Sequence, residues 1–193
     1  GVINGDTDCH LLRCNGSAIV NGSLLGRLAR VNGHLKVSDH VEMERIRING
    51  SLDAGRNARI SHIGMNGDLS TGMDLFFVKG VVNGTVTVQG NVEAEQMTVR
   101  GTLSVNGHVQ ARELNLTLIK QISSVPEIRS RMITVAPTKL AKLFHSSRRG
   151  HLNAERIVGE EIRLENTRAS VVRGSRVHIG KGCTIDRVEY TET

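Results

Sequence analysis

Eight histidines, three cysteines and two closely spaced pairs of glutamates are the side chains in this sequence whose types could do chemistry. Glu42 with Glu44, and Glu93 with Glu95, stand one residue apart, so in an extended chain both carboxylates of a pair face the same way. Paired carboxylates suit glycosidic hydrolysis or calcium binding. Arg45, Arg47 and Arg59 fall nearby in neighbouring repeats, however, and the expectation is a solvated, salt-bridged face. The histidines include no HxxxH or HExxH spacing, and the cysteines no CxxC, so no metal site is expected. Cys9, Cys14 and Cys183 read as buried thiols of a reducing, cytoplasmic compartment. No GKS or GKT phosphate loop occurs. The expectation is a chain with no catalytic residue, no metal, no cofactor and no enzymatic activity.

The elements that carry these residues repeat. Gly16, Gly33, Gly50, Gly67, Gly84 and Gly101 recur every seventeen positions, with Asn before all but the last. Gly5 and Gly22, then Gly90 and Gly107, keep the same step. An apolar column does too: Cys14, Val31, Ile48, Met65, Val82, Val99, Leu116 and Ile133. Such self-similarity marks a repeat architecture. His34 and His40 take their places in this pattern as turn residues, in columns otherwise held by Ser51, Asp68 and Thr85 and by Ser23, Asn57 and Asp74.

Within a repeat the apolar residues come as pairs separated by one position: Leu12 and Cys14, Ala18 and Val20, Leu24 and Gly26. Each pair is a very short strand with both side chains on one face. Three per repeat describe a triangular coil, and coils of equal length stack by parallel pairing. The predicted fold is all-β: a right-handed single-stranded parallel β-helix with ~17 residues per coil, the hand following the usual sense of parallel crossovers. Asn-Gly suits the corners, and stacked Asn amides can hydrogen-bond along the axis. A narrow interior of this kind is filled by Val, Ile, Leu and Ala, in keeping with an aromatic content of 2%.

The predicted organisation is 1–135 as regular coils, 136–150 as a short helical or irregular insert, and 151–193 as C-terminal coils and cap. Ile119 to Val135 reads as one more regular coil. Thr138, Leu140, Leu143 and Phe144 have helical spacing, and Lys139, Lys142, Arg148 and Arg149 add four cations with no acid among them. Gly1 to Leu118 holds 11 Lys and Arg against 11 Asp and Glu, so the net charge of +6 arises entirely in the last third. Lys139, Leu140, Lys142, Leu143, Phe144, Arg148 and Arg149 are therefore the candidates for contact with a membrane or another anionic partner. No run of eighteen apolar residues exists to span a membrane. After His151 the strand pairs return at fifteen or sixteen residues per turn, as Ile162 and Leu164, Ala169 and Val171, Val177 and Ile179.

The Asn-Gly coils resemble the bactofilins, bacterial polymer-forming cytoskeletal proteins. The tail is similar to the ending of one branch of that family through Gly159-Glu160-Glu161-Ile162-Arg163-Leu164-Glu165-Asn166-Thr167, Val171-Val172-Arg173-Gly174, Val177-His178-Ile179-Gly180 and Val188-Glu189-Tyr190. The resemblance implies a non-enzymatic cytoskeletal scaffold that self-assembles end to end into filaments without nucleotide. It also implies a cytoplasmic location, often at the inner face of the cell membrane, with envelope, shape or motility machinery as partners.

Two other triangular coils compete with that reading. Hexapeptide-repeat acyltransferases step in strict sixes, whereas strand starts here step by six, six and five. Carbohydrate-binding β-helices are usually secreted and carry more surface aromatics and acids. Arg13, Arg30 and Arg47 form an outward basic column, but without stacking aromatics nucleic acid is not expected as a partner. Polymer contacts are assigned to Ile3 and Cys9 near one end and to Ile185, Val188 and Tyr190 near the other. Phe76, Val78 and Val81, outward by alternation, are assigned to lateral contact.

Overall fold

The computed structural model describes residues 1–138 and 150–190. Among them are thirteen strands, all paired in parallel and wound into a β-solenoid of about ten turns, with no helix. In order they are β1 (Val2–Asn4), β2 (Thr7–Asn21), β3 (Leu24–Val37), β4 (Val41–Ala54), β5 (Ala58–Thr71), β6 (Leu75–Val88) and β7 (Val92–Val105). The chain continues through β8 (His108–Leu118), β9 (Ile122–Ser124), β10 (Glu127–Pro137), β11 (His151–Leu164), β12 (Thr167–Ile179) and β13 (Thr184–Tyr190).

Each regular coil contains one strand of 14 residues rather than three short ones. The strand runs on through two of the three corners, the ladder skipping a single pair at Arg27 and Glu44, and is interrupted at the third, at Ser38–His40 between β3 and β4. The Asn-Gly corner stays in the ladder because both residues pair with their own kind, Asn32 beside Asn49 and Gly33 beside Gly50. Glycine is required there by stacking as well as by its positive φ. A Cβ on Gly67 (φ +133°) would lie 1.9 Å from the carbonyl oxygen of Gly50. The amides form the expected ladder: Asn66 Nδ2 donates to Asn49 Oδ1 at 2.9 Å, and Asn83 Nδ2 to Asn66 Oδ1 at 2.8 Å. Arg100 ends it by donating to Asn83 Oδ1 at 3.1 Å.

A second corner ladder runs where the strand breaks. Asn57 Oδ1 accepts from the Asp74 backbone N–H, Asp74 Oδ1 from that of Asn91, and Asn91 Oδ1 from that of His108. The inward columns between these corners form one continuous core from Ala18 to Val172. At one position volume is traded within a coil: the Phe77 ring fills the space beside Gly80, where a Cβ would come within 2.7 Å of it.

From β2 to β8 every step is seventeen residues. The step then lengthens to nineteen, with Val135 beside Leu116 and Ile133 beside Leu114. The expectation of a regular coil over Ile119 to Val135 is thereby corrected: Ile119, Lys120 and Gln121 are accommodated at a corner, and β9 forms the second face on its own. With this shift Ser130 stands beside Ala111, and its hydroxyl donates to the Met132 carbonyl at 3.0 Å. Between β10 and β11 the step is twenty-nine, with Ile133 beside Ile162.

Ala136 and Pro137 belong to β10 rather than to an insert. The helical spacing read over Thr138 to Phe144 falls, after Thr138, outside the described residues. The later coils step by fifteen and then sixteen, as expected, and continue the same sheet. Their inward pairing differs in one place: Thr167 and Ala169 point in together, and Val172 rather than Val171 follows them into the core.

Candidate functional site

Three surfaces carry the residues singled out above, and the solenoid distributes them differently from a catalytic site. At one end Ile3 lies on β1 in the column of Val20, where it is 39% exposed. Cys9 lies on β2, half-buried; burial, and then the Asp8 carboxylate, raise its thiol pKa. At the other end Ile185, Val188 and Tyr190 lie on β13 beside Ala169, Val172 and Gly174. Tyr190 is 73% exposed. β1 and β13 are the outermost strands of the described sheet, each paired along one edge. Nearby, the Cys183 thiol donates to the Leu164 carbonyl at 3.3 Å. Its pKa is raised, chiefly by burial; backbone hydrogen bonds from Thr167 and Gly180 oppose the shift, and Glu165 adds to it.

The second surface is an open groove of about 500 Å³ on the third face of the coils, lined by Arg59, Phe76, Val78, Glu93, Glu95 and Gln110. The in-register stack puts Arg59, Phe76 and Glu93 in one column. The Arg59 guanidinium lies 5.2 Å from the Phe76 ring centroid, within cation–π range. Val78 is 50% exposed, whereas Phe76 is half-buried. Val81 stands round the corner between Gly64 and Thr98 and does not line the groove, so the three assigned residues are not one patch.

The third surface is basic. Arg13, Arg30 and Arg47 stack in register on the face that carries Leu12 and Cys14, with Arg45 two columns away beyond inward Ile46. The carboxylates expected to neutralise them do not. Glu44 pairs with Arg27 at 3.2 Å, and Glu42, Glu93 and Glu95 form no ion pair among the described residues. The salt-bridged face therefore exists at Glu44 alone. Lys139, Leu140, Lys142, Leu143, Phe144, Arg148 and Arg149 lie outside the described residues.

No family model matches the chain, and no solved structure matches it. Two Bacillus subtilis (strain 168) proteins do, both uncharacterized. YhbF is 46% identical over 77 residues, which are 40% of this chain and 32% of YhbF. YhbE is 52% identical over 40 residues, 21% of this chain and 17% of YhbE. The matches thus span a third or less of these relatives.

Among the described residues no three of His, Cys, Asp or Glu converge in a way that could hold a metal ion, and no helix is long and apolar enough to cross a membrane. His34 is occupied in a hydrogen bond to Ser51 Oγ, the next residue of its turn column. What the geometry offers is contact area: the outer edges of the described sheet, a groove in which Phe76 and Val78 stand among Arg59, Glu93 and Glu95, and an arginine ladder. Sequence reasoning missed Leu11 and Leu28, which share a shallow depression with Arg45. Leu11 is 41% exposed. Its neighbour Leu12 fits the inward template equally well, so alternation alone drew no attention to Leu11.

Proposed function

We propose that this protein is a non-enzymatic scaffold whose copies join end to end into filaments without nucleotide. The observation that carries this reading is the in-register parallel stacking, in which every coil presents the same ladder and inward columns to the next, up to the outer edges of β1 and β13 that bound the described sheet. Such an edge is a template for another parallel strand. A coil of a second copy laid on it would satisfy backbone groups and bury Ile3 at one end, or Ile185, Val188 and Tyr190 at the other. No energy source is needed, since each junction repeats the pairing already present between coils. The bactofilin-like tail supports a cytoplasmic site of action at the inner face of the cell membrane, with envelope or motility proteins as partners.

Negative-stain microscopy of the purified chain, at low and moderate salt and without nucleotide, tests the proposal. Filaments of uniform narrow width are expected, shortened by Ile3→Asp or Val188→Asp. Filaments unchanged by both substitutions would overturn the assignment of the ends. Monodisperse trimers at every concentration would overturn the scaffold itself and favour an acyltransferase.

A further inference from the structure

Charge is segregated on the face that carries Leu12 and Cys14. One of its outward columns holds Arg13, Arg30 and Arg47; the other, two residues earlier on the same strands, holds Leu11, Leu28 and Arg45 and continues through His62 and Lys79. Gly1 to Leu118 is neutral, with 11 Lys and Arg against 11 Asp and Glu, yet five of those cations stand here and, as far as Gln96 and Thr98 on β7, no carboxylate does. The first acid in either column is Glu113 on β8, which accepts a hydrogen bond from Asn115 at 2.8 Å. All five cations are exposed, and none has an ion-pair partner among the described residues, whereas Arg27, Arg56 and Arg131 each pair with a carboxylate. Like charges stacked about 4.8 Å apart repel one another until an anion lies over them.

We propose that this face binds duplex nucleic acid through its phosphates. Four of the five cations are arginines, whose forked guanidinium grips two phosphate oxygens where a lysine offers a point charge. From Arg13 on β2 to Lys79 on β6 the cations span four coil steps, about 19 Å, and a duplex carries about eleven phosphates over that length, about half of them on the side it presents. Five cations held in register therefore meet a similar number of charges. A protein partner fits less well: such interfaces centre on apolar anchors with charge at the rim, and here Arg45 and Arg47 hold the centre while Leu11 and Leu28 lie towards one end. The lack of stacking aromatics counts against single strands. Contact with a duplex backbone needs none, and it carries no sequence preference. Binding of this kind does not rest on filament formation, since one copy presents the whole face.

The test is a titration of fluorescein-labelled DNA duplexes of unrelated sequence with the full chain, read by anisotropy at several salt concentrations. The duplexes should bind alike, and more tightly than either strand alone, whose charge is about half as dense. Affinity should fall with salt at a log–log slope of about −4, or about 0.9 for each phosphate neutralised. Arg30→Gln/Arg47→Gln should flatten that slope by about 2 and weaken binding about tenfold or more at low salt. Its urea midpoint should be no lower than that of the parent chain, which shows the variant to be folded. Lys139→Gln/Lys142→Gln removes as much charge from the basic stretch before Gly150 and should leave the slope where it was. An equal loss in the lysine variant, or none in the arginine variant, would overturn the assignment of the face. So would tighter binding of a single strand, or binding to phosphatidylglycerol vesicles with none to the duplexes, which would make a lipid surface the partner of the ladder.

Discussion

The coils from Thr7 to Leu118 and those from Ile119 to Tyr190 surround the same kind of apolar interior but hold their corners in different ways. In the first region one corner of each coil is an Asn-Gly pair stacked on its like, with glycine carbonyls about 2 Å from where a Cβ would stand and asparagine amides bonded coil to coil. In the second the steps are nineteen, twenty-nine, fifteen and sixteen residues, and the Asn-Gly ladder is gone. Ion pairs bridge these coils, Arg131 to Glu160 at 2.8 Å and Glu161 to Arg176 at 3.6 Å, as Arg27–Glu44 and Arg56–Asp39 do in the first region, but here no amide ladder accompanies them. A parallel solenoid thus needs a matching core cross-section from coil to coil, while its corners tolerate insertion. Strict periodicity belongs to the corners of the first region, where glycine stacking admits no side chain.

The sharpest way to break this comparison is to put a Cβ into the glycine ladder. Gly67→Ala forces an atom to within 1.9 Å of a backbone oxygen that cannot move without disturbing the next coil. A loss of about 3 kcal/mol or more is expected from urea denaturation. Gly64→Ala, in the same coil, is the control. Its Cβ would meet nothing nearer than 3.9 Å and its φ is not positive, so a change within about 0.5 kcal/mol is expected. Equal losses at the two positions would show that stacking is not what requires glycine.

Core truncation should treat the two regions alike. Leu69→Ala in β5 and Leu164→Ala in β11 each empty a fully buried site, and each should cost about 2–5 kcal/mol. Both are expected to lower a single cooperative transition, because β10 and β11 pair within one sheet. Two separate transitions, with each variant shifting only its own, would show that the last coils form an independent unit.

The contrast between regions also explains what could be read in advance. The period, the inward columns of Leu12 to Val105 and the amide ladder were legible because one glycine every seventeen residues has a single steric meaning. The nineteen-residue step was not. Leu116 and Ile133 satisfy a seventeen-residue column as well as Leu116 and Val135 satisfy the real one, and a two-residue shift preserves the alternation on which inward facing depends. Val171 and Val172 pose the same ambiguity side by side, and only the pairing of Val172 with Ile157 decides it. For the candidate surfaces, the outward positions of Phe76 and Val78 were legible, and so was the ladder of Arg13, Arg30 and Arg47. That Glu93 and Glu95 stay unpaired was not, because ion pairing depends on rotamers reaching across coils rather than on columns.

Deleting one rung of the amide ladder should have a smaller effect than either glycine or leucine substitution. Asn66→Ala removes two hydrogen bonds, one to each neighbouring coil. The side chain is exposed, so water takes over the freed groups on Asn49 and Asn83. A loss of about 1 kcal/mol is expected in urea denaturation. A loss as large as that of Gly67→Ala would mean that the ladder, rather than glycine stacking, sets the corner.

The smallest expected effect separates the two corner chemistries by salt. Glu161 is accessible, and its partners Arg163 and Arg176 are largely exposed, so Glu161→Gln should cost at most about 1 kcal/mol. At about 1 M salt, where the Debye length falls to about 3 Å, that difference from the parent chain should shrink towards zero. Asn66→Ala should cost the same at both salt concentrations, because the bonds it removes join neutral amides. Native-state hydrogen exchange can report both regions in one sample: backbone amides of β11 and β12 should lose protection slightly as salt rises, while those of β6 and β7, which carry no ion pair among the described residues, keep theirs. Uniform loss across both regions would mean that charge pairs do not distinguish the second region's corners. Loss confined to β11 and β12 would tie the stability of the irregular coils to the ion pairs that Glu160 and Glu161 form across them.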